Sequence, residues 1–181
     1  MEGPSLIVIA DTSVLINFLA VGRMDLIQRH SCRFLITDHV RHEITEHYQE
    51  QFSRLKEALE QGILEEISVT DPEEVETFAK LTRLESFGNG ECACIAVALH
   101  RSYTLAIDDK KAIKQARLSC PTISIITTQD LMVSMIKAGL ITVNEADAIK
   151  DKWASTHKFQ LKMSLEQQRR YCQSPGMVGT C

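Results

Sequence analysis

The chain has no long hydrophobic run, no surplus of positive charge and no pair of CxxC motifs, and each absence removes a class of protein. Its longest apolar stretches near the N-terminus, residues 6–10 and 18–21, are broken by Asp11 and Asn17. They fall far short of the roughly 20 residues that a membrane-spanning helix needs, and no secretory signal is expected. Lys and Arg number 20 against 24 Asp and Glu, a formal charge of −4, so no global basic field draws the chain onto nucleic acid and any polyanion must be held locally. Six cysteines (Cys32, Cys92, Cys94, Cys120, Cys172, Cys181) form no zinc knuckles. Cys92 and Cys94 sit two apart in an apolar segment, a spacing that one helix face cannot present to a metal. They read as reduced core residues of a cytoplasmic protein.

What is present is a globular composition. With 181 residues, 44% hydrophobic and 24% charged, the chain has material for one core. Residues 5–10, SLIVIA, form a continuous β-branched run typical of a strand buried on both faces, and it ends abruptly in Asp11. Helical spacing follows, with a break at Gly22, and a second strand is expected at 33–37. Asp38 is the expected N-cap of one long helix over 39–60, closed by Gly62. Residues 63–69 read as an edge strand with acidic interruptions. Asp71-Pro72 opens a helix to about Leu84, with Pro at the first position. Gly88-Asn89-Gly90 reads as a flexible turn into ECACIAVALH, whose small residues allow close packing on a sheet. Strands at 103–107 and 122–126 flank a basic amphipathic helix, KKAIKQARL. Helices are expected at 128–138, capped by Gly139, and from the Thr142-x-x-Glu145 capping box to about 155. Strands alternating with helices at this spacing predict an α/β class with a central, mostly parallel sheet covered on both faces.

Open parallel sheets bind ligands beyond the carboxyl ends of their strands. Asp11 and the pair Asp108-Asp109 stand there, each following a buried run directly. Glu91 opens the Ala-rich helix, and Glu43 lies about one turn into the helix after the second strand. Taken singly, each acid has a structural explanation as a helix cap or a surface charge. Together they demand more, because two unpaired carboxylates about 4 Å apart repel by roughly 4 kcal/mol at an effective dielectric of 20. A cluster of this kind calls for a shared proton or a cation. An all-oxygen donor set suits Mg²⁺ or Mn²⁺, which complete their shells with water and phosphate oxygens and so point to phosphoryl chemistry.

These residues also resemble a known family. IADTSVLINFL with Asp11, HEITE with Glu43, GECACIAVALH with Glu91 and TLAIDDKKA with Asp109 resemble the PIN-domain metal-dependent ribonucleases, among them the toxins of toxin-antitoxin pairs. Family members place an acid at the start of the Ala-rich helix and another 18 positions later, the separation of Glu91 and Asp109. The third acid is most often Asp in the family, and here it is Glu91, one methylene longer. The resemblance spans about residues 5–130, with the later helices to about 155 as an extension. It implies a three-layer α/β/α sandwich, with residues 1–156 as a PIN-like nuclease domain and 157–181 as a polar C-terminal tail. A terminal helix around residues 165–171 is one option for that tail. The resemblance further implies that Asp11, Glu43, Glu91 and Asp109 bind one or two Mg²⁺ or Mn²⁺ ions and carry catalysis, with Asp108 an adjacent second ligand candidate. Thr12 or Ser13 would orient the first acid or a bound water. By the same resemblance the substrate is RNA, and the partners are an antitoxin and a second copy of the chain.

RNA needs a cationic track. Lys110, Lys111 and Lys114, with Arg117, follow the Asp pair, and Arg41 and Arg101 are further candidates near the same rim. Two rival readings are a PIN-like module that binds RNA or protein without cutting, and a haloacid dehalogenase-like phosphotransferase. The latter wants a second Asp two residues after Asp11, where Ser13 stands. A zincin-type site is excluded by spacing, because His42 and His47 are five apart rather than four.

Overall fold

A computed structural model describes residues 6–156. These residues fall into two compact units, the first ending at Thr128 and the second beginning at Gln129. The first alternates strands and helices in the order β1 (Ile7–Ala10), α1 (Thr12–Val21), α2 (Met24–Arg29), β2 (Arg33–Thr37), α3 (Asp38–His47), α4 (Gln49–Glu60), β3 (Glu65–Ile67), α5 (Pro72–Thr82), α6 (Asn89–Arg101), β4 (Thr104–Ala106), α7 (Lys110–Ser119) and β5 (Ile125–Ile126). The last residue of this unit, Thr128, starts α8 (Thr128–Lys137), and α9 (Val143–Thr156) follows. The second unit buries Leu131, Met132, Met135, Ile141, Ala146, Ile149 and Trp153. The expected tail lies outside the described residues.

The five strands form one sheet in the order β3-β2-β1-β4-β5, and every pairing is parallel, where a mostly parallel sheet was expected. The α/β/α class follows from the sequence pattern. Val8, Ile9, Leu35, Ile36 and Leu105 are buried whichever face of the pleat they occupy, so the central strands have no water-facing side. The edge strand β3 differs: Glu65 and Glu66 are exposed, and Arg33 of β2 pairs with Glu65 at 2.7 Å, charge that discourages further strand addition. Helix α6 packs against β1, β2, β4, α3 and α5. Its Cys92, Ala93, Cys94, Ile95, Ala96, Val97 and Ala98 are all buried, because only small side chains admit so many neighbours to one helix. Both cysteines are therefore internal even though they face different directions.

Three details differ from the sequence reading. The helix expected over 39–60 breaks at Tyr48, which leaves helical geometry at φ −131° and ψ 58° and serves as C-cap of α3 and N-cap of α4. The break lets α3 pack on α6 and α1 while α4 is re-aimed onto α1. There Arg54 donates to Leu19 O at 2.6 Å and Ala20 O at 3.0 Å, carbonyls in the last turn of α1. The cap of α3 is Thr37, whose hydroxyl accepts from Val40 N, and Asp38 is already helical. Finally, Asn89 and Gly90 are the first turn of α6 and not a free turn.

Candidate metal centre

The carboxyl ends of β1, β2 and β4 lie side by side in the sheet, and Asp11 follows β1 in direct register with β4 through Asp11 N to Ala106 O at 2.9 Å. Asp11 caps α1: its Oδ2 accepts from Ser13 N at 3.0 Å. The residue is 1% exposed, and its Oδ1 has no hydrogen-bond partner. Burial, with a smaller contribution from the Glu43 charge, pushes the carboxyl up to about 6.

Glu43 comes from the middle of α3 and is held by Thr12 Oγ1, which donates to Oε2 at 3.0 Å. Gly90 makes room for it. A Cβ at Gly90 would stand 2.5 Å from Glu43 Oε2 and 3.4 Å from Thr12 Oγ1. The glycine read as part of a flexible turn is thus a cradle for a carboxylate. Glu91, the third residue of α6, accepts from Gly88 N at 3.0 Å and so satisfies a helix N-terminal donor. It is half-buried and pushed up to about 7, by burial first and then by the charges of Asp11, Asp109 and Glu43. Asp109 caps α7, its Oδ1 accepting from Lys111 N and Ala112 N, both at 2.8 Å. Mutual charge effects thus tie Asp11, Glu43, Glu91 and Asp109 into one electrostatic cluster.

Asp108 is placed differently. Its Oδ1 accepts from Thr128 N at 2.9 Å, its Oδ2 from Thr128 Oγ1 at 2.6 Å and Asn17 Nδ2 at 3.2 Å, and its own N–H donates to Ser13 Oγ at 3.1 Å. Of the two residues expected to support the first acid, Thr12 supports Glu43, while Ser13 gives Asp11 a backbone N–H and its Oγ accepts from the Asp108 N–H. Asn17 and Thr128 did not figure among the sequence candidates. The signal for Asn17 was present, a carboxamide inside the apolar run VLINFLAV.

Among the described residues no three His, Cys, Asp or Glu side chains are gathered closely enough to hold a metal ion as they stand. The reason is visible in the hydrogen bonds. Glu43, Glu91 and Asp109 each spend one oxygen on a hydroxyl or on N–H groups at a helix start, which disperses a cluster of like charges. The donor set still fits a hard cation: every group is a carboxylate, and the buried Oδ1 of Asp11 lacks any other partner.

The basic residues divide into two groups. Arg41 pairs with Glu66 at 2.7 Å. Arg101 pairs with the fully buried Glu74 at 2.5 Å and donates to Ser68 O at 3.1 Å, a bond between α6 and the start of α5 and not part of the acidic cluster. Lys110, Lys114 and Arg117, by contrast, line a shallow hollow of about 370 Å³ on α7 together with Ile113 and Leu118, and with Lys111 they are exposed. The histidines find other uses. His39 stacks on Phe78 with ring centroids 4.7 Å apart, and His42 and His47 face Glu46.

Among the described residues no helix is long and apolar enough to cross a membrane. No protein of curated function matches the sequence. A solved structure described as VapBC2 from Rickettsia felis bound to a DNA fragment from their promoter matches 67% of this chain and 98% of its own, at 16% identity and a TM-score of 0.47. The family model described as DUF3368, a PIN domain, matches residues 7–167. With most of its length so matched, the chain belongs to the PIN-domain family.

Proposed function

We propose that the chain is a Mg²⁺- or Mn²⁺-dependent endoribonuclease that hydrolyses RNA phosphodiester bonds, with Asp11, Glu43, Glu91 and Asp109 holding one or two ions. The observation that carries this reading is Asp11: a buried carboxylate with an unpartnered oxygen, surrounded by acids whose charges push each other's protons on. A bound divalent cation supplies an acidified water and neutralises charge building on the phosphate. The chain's own residues do the rest. Asp11, rigid at the N-cap of α1, fixes the deepest ligand position. Glu91, half-buried at the start of α6, would join Asp11 in holding the ion. Glu43 and Asp109 each keep one oxygen outside their hydrogen bonds, and these orient the attacking water and accept its proton. Thr12 holds Glu43 in place for that task. No covalent intermediate is needed.

Lys110, Lys111, Lys114 and Arg117 supply the cationic track for the phosphate backbone, since they follow Asp109 directly along α7. The toxin role, the antitoxin partner, the homodimer and the cytoplasmic location rest on the motif resemblance. The test is cleavage of single-stranded RNA by purified protein with Mn²⁺, wild type beside Asp11→Asn. Wild-type cleavage that the variant loses supports the reading. Equal cleavage by both, or by neither, rejects it.

A further inference from the structure

Two adjacent aspartates follow β4, and the sequence does not say which of them serves the cation. We infer that Asp108 is a positioning residue, clamped by Thr128 and Asn17 so that Asp109 is the acid presented to the cation site. This rests on the nuclease reading above.

The geometry separates the two. Three donors already solvate the Asp108 carboxylate: Thr128 N, Thr128 Oγ1 and Asn17 Nδ2. Asp109 is bound only through Oδ1, to its own helix. The clamp itself is buried. Thr128 is fully inaccessible and Asn17 is 2% exposed, on a helix whose neighbouring Val14, Leu15, Phe18 and Leu19 are core. A carboxamide there costs stability unless it is hydrogen-bonded, and Asn17 Nδ2 reaches Ser13 O at 3.0 Å and Thr128 Oγ1 at 3.1 Å besides Asp108. The network joins Ser13, two residues after Asp11, to Asp108, one residue before Asp109. It does so just past Asp11 N to Ala106 O, the last backbone bond between the continuations of β1 and β4. The first and fourth acids are thereby fixed relative to each other through Ser13, which bonds Asp11, and Asp108, the residue before Asp109.

The test combines binding and turnover. Mn²⁺ equivalents are counted from the EPR signal of free Mn²⁺, and kcat and KM are measured on single-stranded RNA, for wild type, Asp109→Asn, Asp108→Asn, Thr128→Val and the exchange Asp108→Asn with Asn17→Asp. Expected is that Asp109→Asn loses Mn²⁺, whereas Asp108→Asn and Thr128→Val keep the wild-type equivalents with kcat lower by about 10- to 100-fold and KM unchanged. The exchange restores the contact between residues 17 and 108 with donor and acceptor swapped but sets a carboxylate against Ser13 O, and so recovers only part of kcat. Thr128→Val removes only a hydroxyl and stands in if the Asp108 variant does not fold. Asp108→Asn releasing as much Mn²⁺ as Asp109→Asn, or turning over at the wild-type rate, overturns the inference. Wild type that binds Mn²⁺ but does not cut RNA rejects the nuclease reading alone, and the equivalents still decide the role of Asp108. Wild type that binds no Mn²⁺ rejects both.

Discussion

Among the described residues of the first unit, Asp11 and Glu74 are the two acids with almost no exposed surface, 1% and 0%, and their surroundings are opposite. Glu74 receives the Arg101 guanidinium on both oxygens, at 2.5 and 2.9 Å, and Thr70 N at 3.3 Å, and these hold its carboxyl below the usual range. Asp11 receives hydrogen bonds from Ser13 and Thr12 but no cation, its Oδ1 has no partner among the described residues, and burial pushes it up. Burial alone therefore says little about what an acid is for. A buried carboxylate that carries its own counter-charge is finished as a structural element. One that lacks it costs stability at neutral pH, and that cost is sensible where a cation from solution completes the group.

Substituting each partner in turn sharpens the contrast. Asp11→Asn is expected to lower kcat for RNA cleavage about 1,000-fold, equivalent to roughly 4 kcal/mol, because Asn keeps the N-cap but not the charge. Single-turnover assays in Mn²⁺ check it. Arg101→Ala is expected to do the reverse. It removes the charged hydrogen bonds that hold Glu74 and lowers unfolding free energy by about 1–3 kcal/mol in urea titrations, while turnover per folded molecule stays within about twofold. Loss of catalysis without instability in Arg101→Ala would erase the distinction.

The pH dependence separates the same two acids by sign. Asp11 is displaced from 3.8 to about 6, so the folded state binds its proton more tightly than the unfolded chain does. Its contribution is fully present below 3.8 and is lost as pH rises through about 6. Glu91 follows, displaced from 4.5 to about 7. Glu74 runs oppositely: its contribution is present above its ordinary value and is lost as pH falls through its lowered one. In chelator, Asp11→Asn is therefore expected to be more stable than wild type at pH 8 by up to about 3 kcal/mol, the free energy of that displacement. The gap should close toward pH 4. Thermal unfolding across this range, with and without Mn²⁺, measures it, and a gap that does not change with pH counts against the unneutralised site.

The sheet and the positions of Asp11 and Asp108-Asp109 at its rim were legible for one reason, the abrupt change from β-branched core to carboxylate at Ala10-Asp11 and Ile107-Asp108. A strand end at the rim of a parallel sheet is a local event that needs no knowledge of distant residues. What was not legible is tertiary. The break at Tyr48 interrupts a buried stripe, Val40, Ile44, Gln51, Leu55 and Ala58, that is periodic on both sides and gives no local warning. The division of labour between Asp108 and Asp109 depends on Thr128, 20 residues away in sequence. Asn17 was visible as an oddity, but its partners were not.

Gly90 is the residue whose local reading was most misleading, and it gives the smallest and sharpest prediction. As a turn glycine it would tolerate alanine. As the first helical turn of α6 it would even gain about 1 kcal/mol from alanine's helix propensity. The space argues otherwise: an added Cβ would meet Glu43 Oε2 at 2.5 Å and Val40 Cγ2 at 3.3 Å. Glu43 must then leave Thr12, and overpacking of this kind costs about 1–3 kcal/mol. The two effects nearly cancel in stability, so Gly90→Ala is expected to change the melting temperature of the metal-free protein by only a few degrees. The stabilisation that Mn²⁺ adds is where the displaced Glu43 shows, because a ligand moved off its support binds less well. A thermal-shift titration reads this as a midpoint moved to about tenfold higher Mn²⁺. An unchanged midpoint would mean that Glu43 takes no part in holding the ion, and that the cluster's working members are Asp11, Glu91 and Asp109 alone.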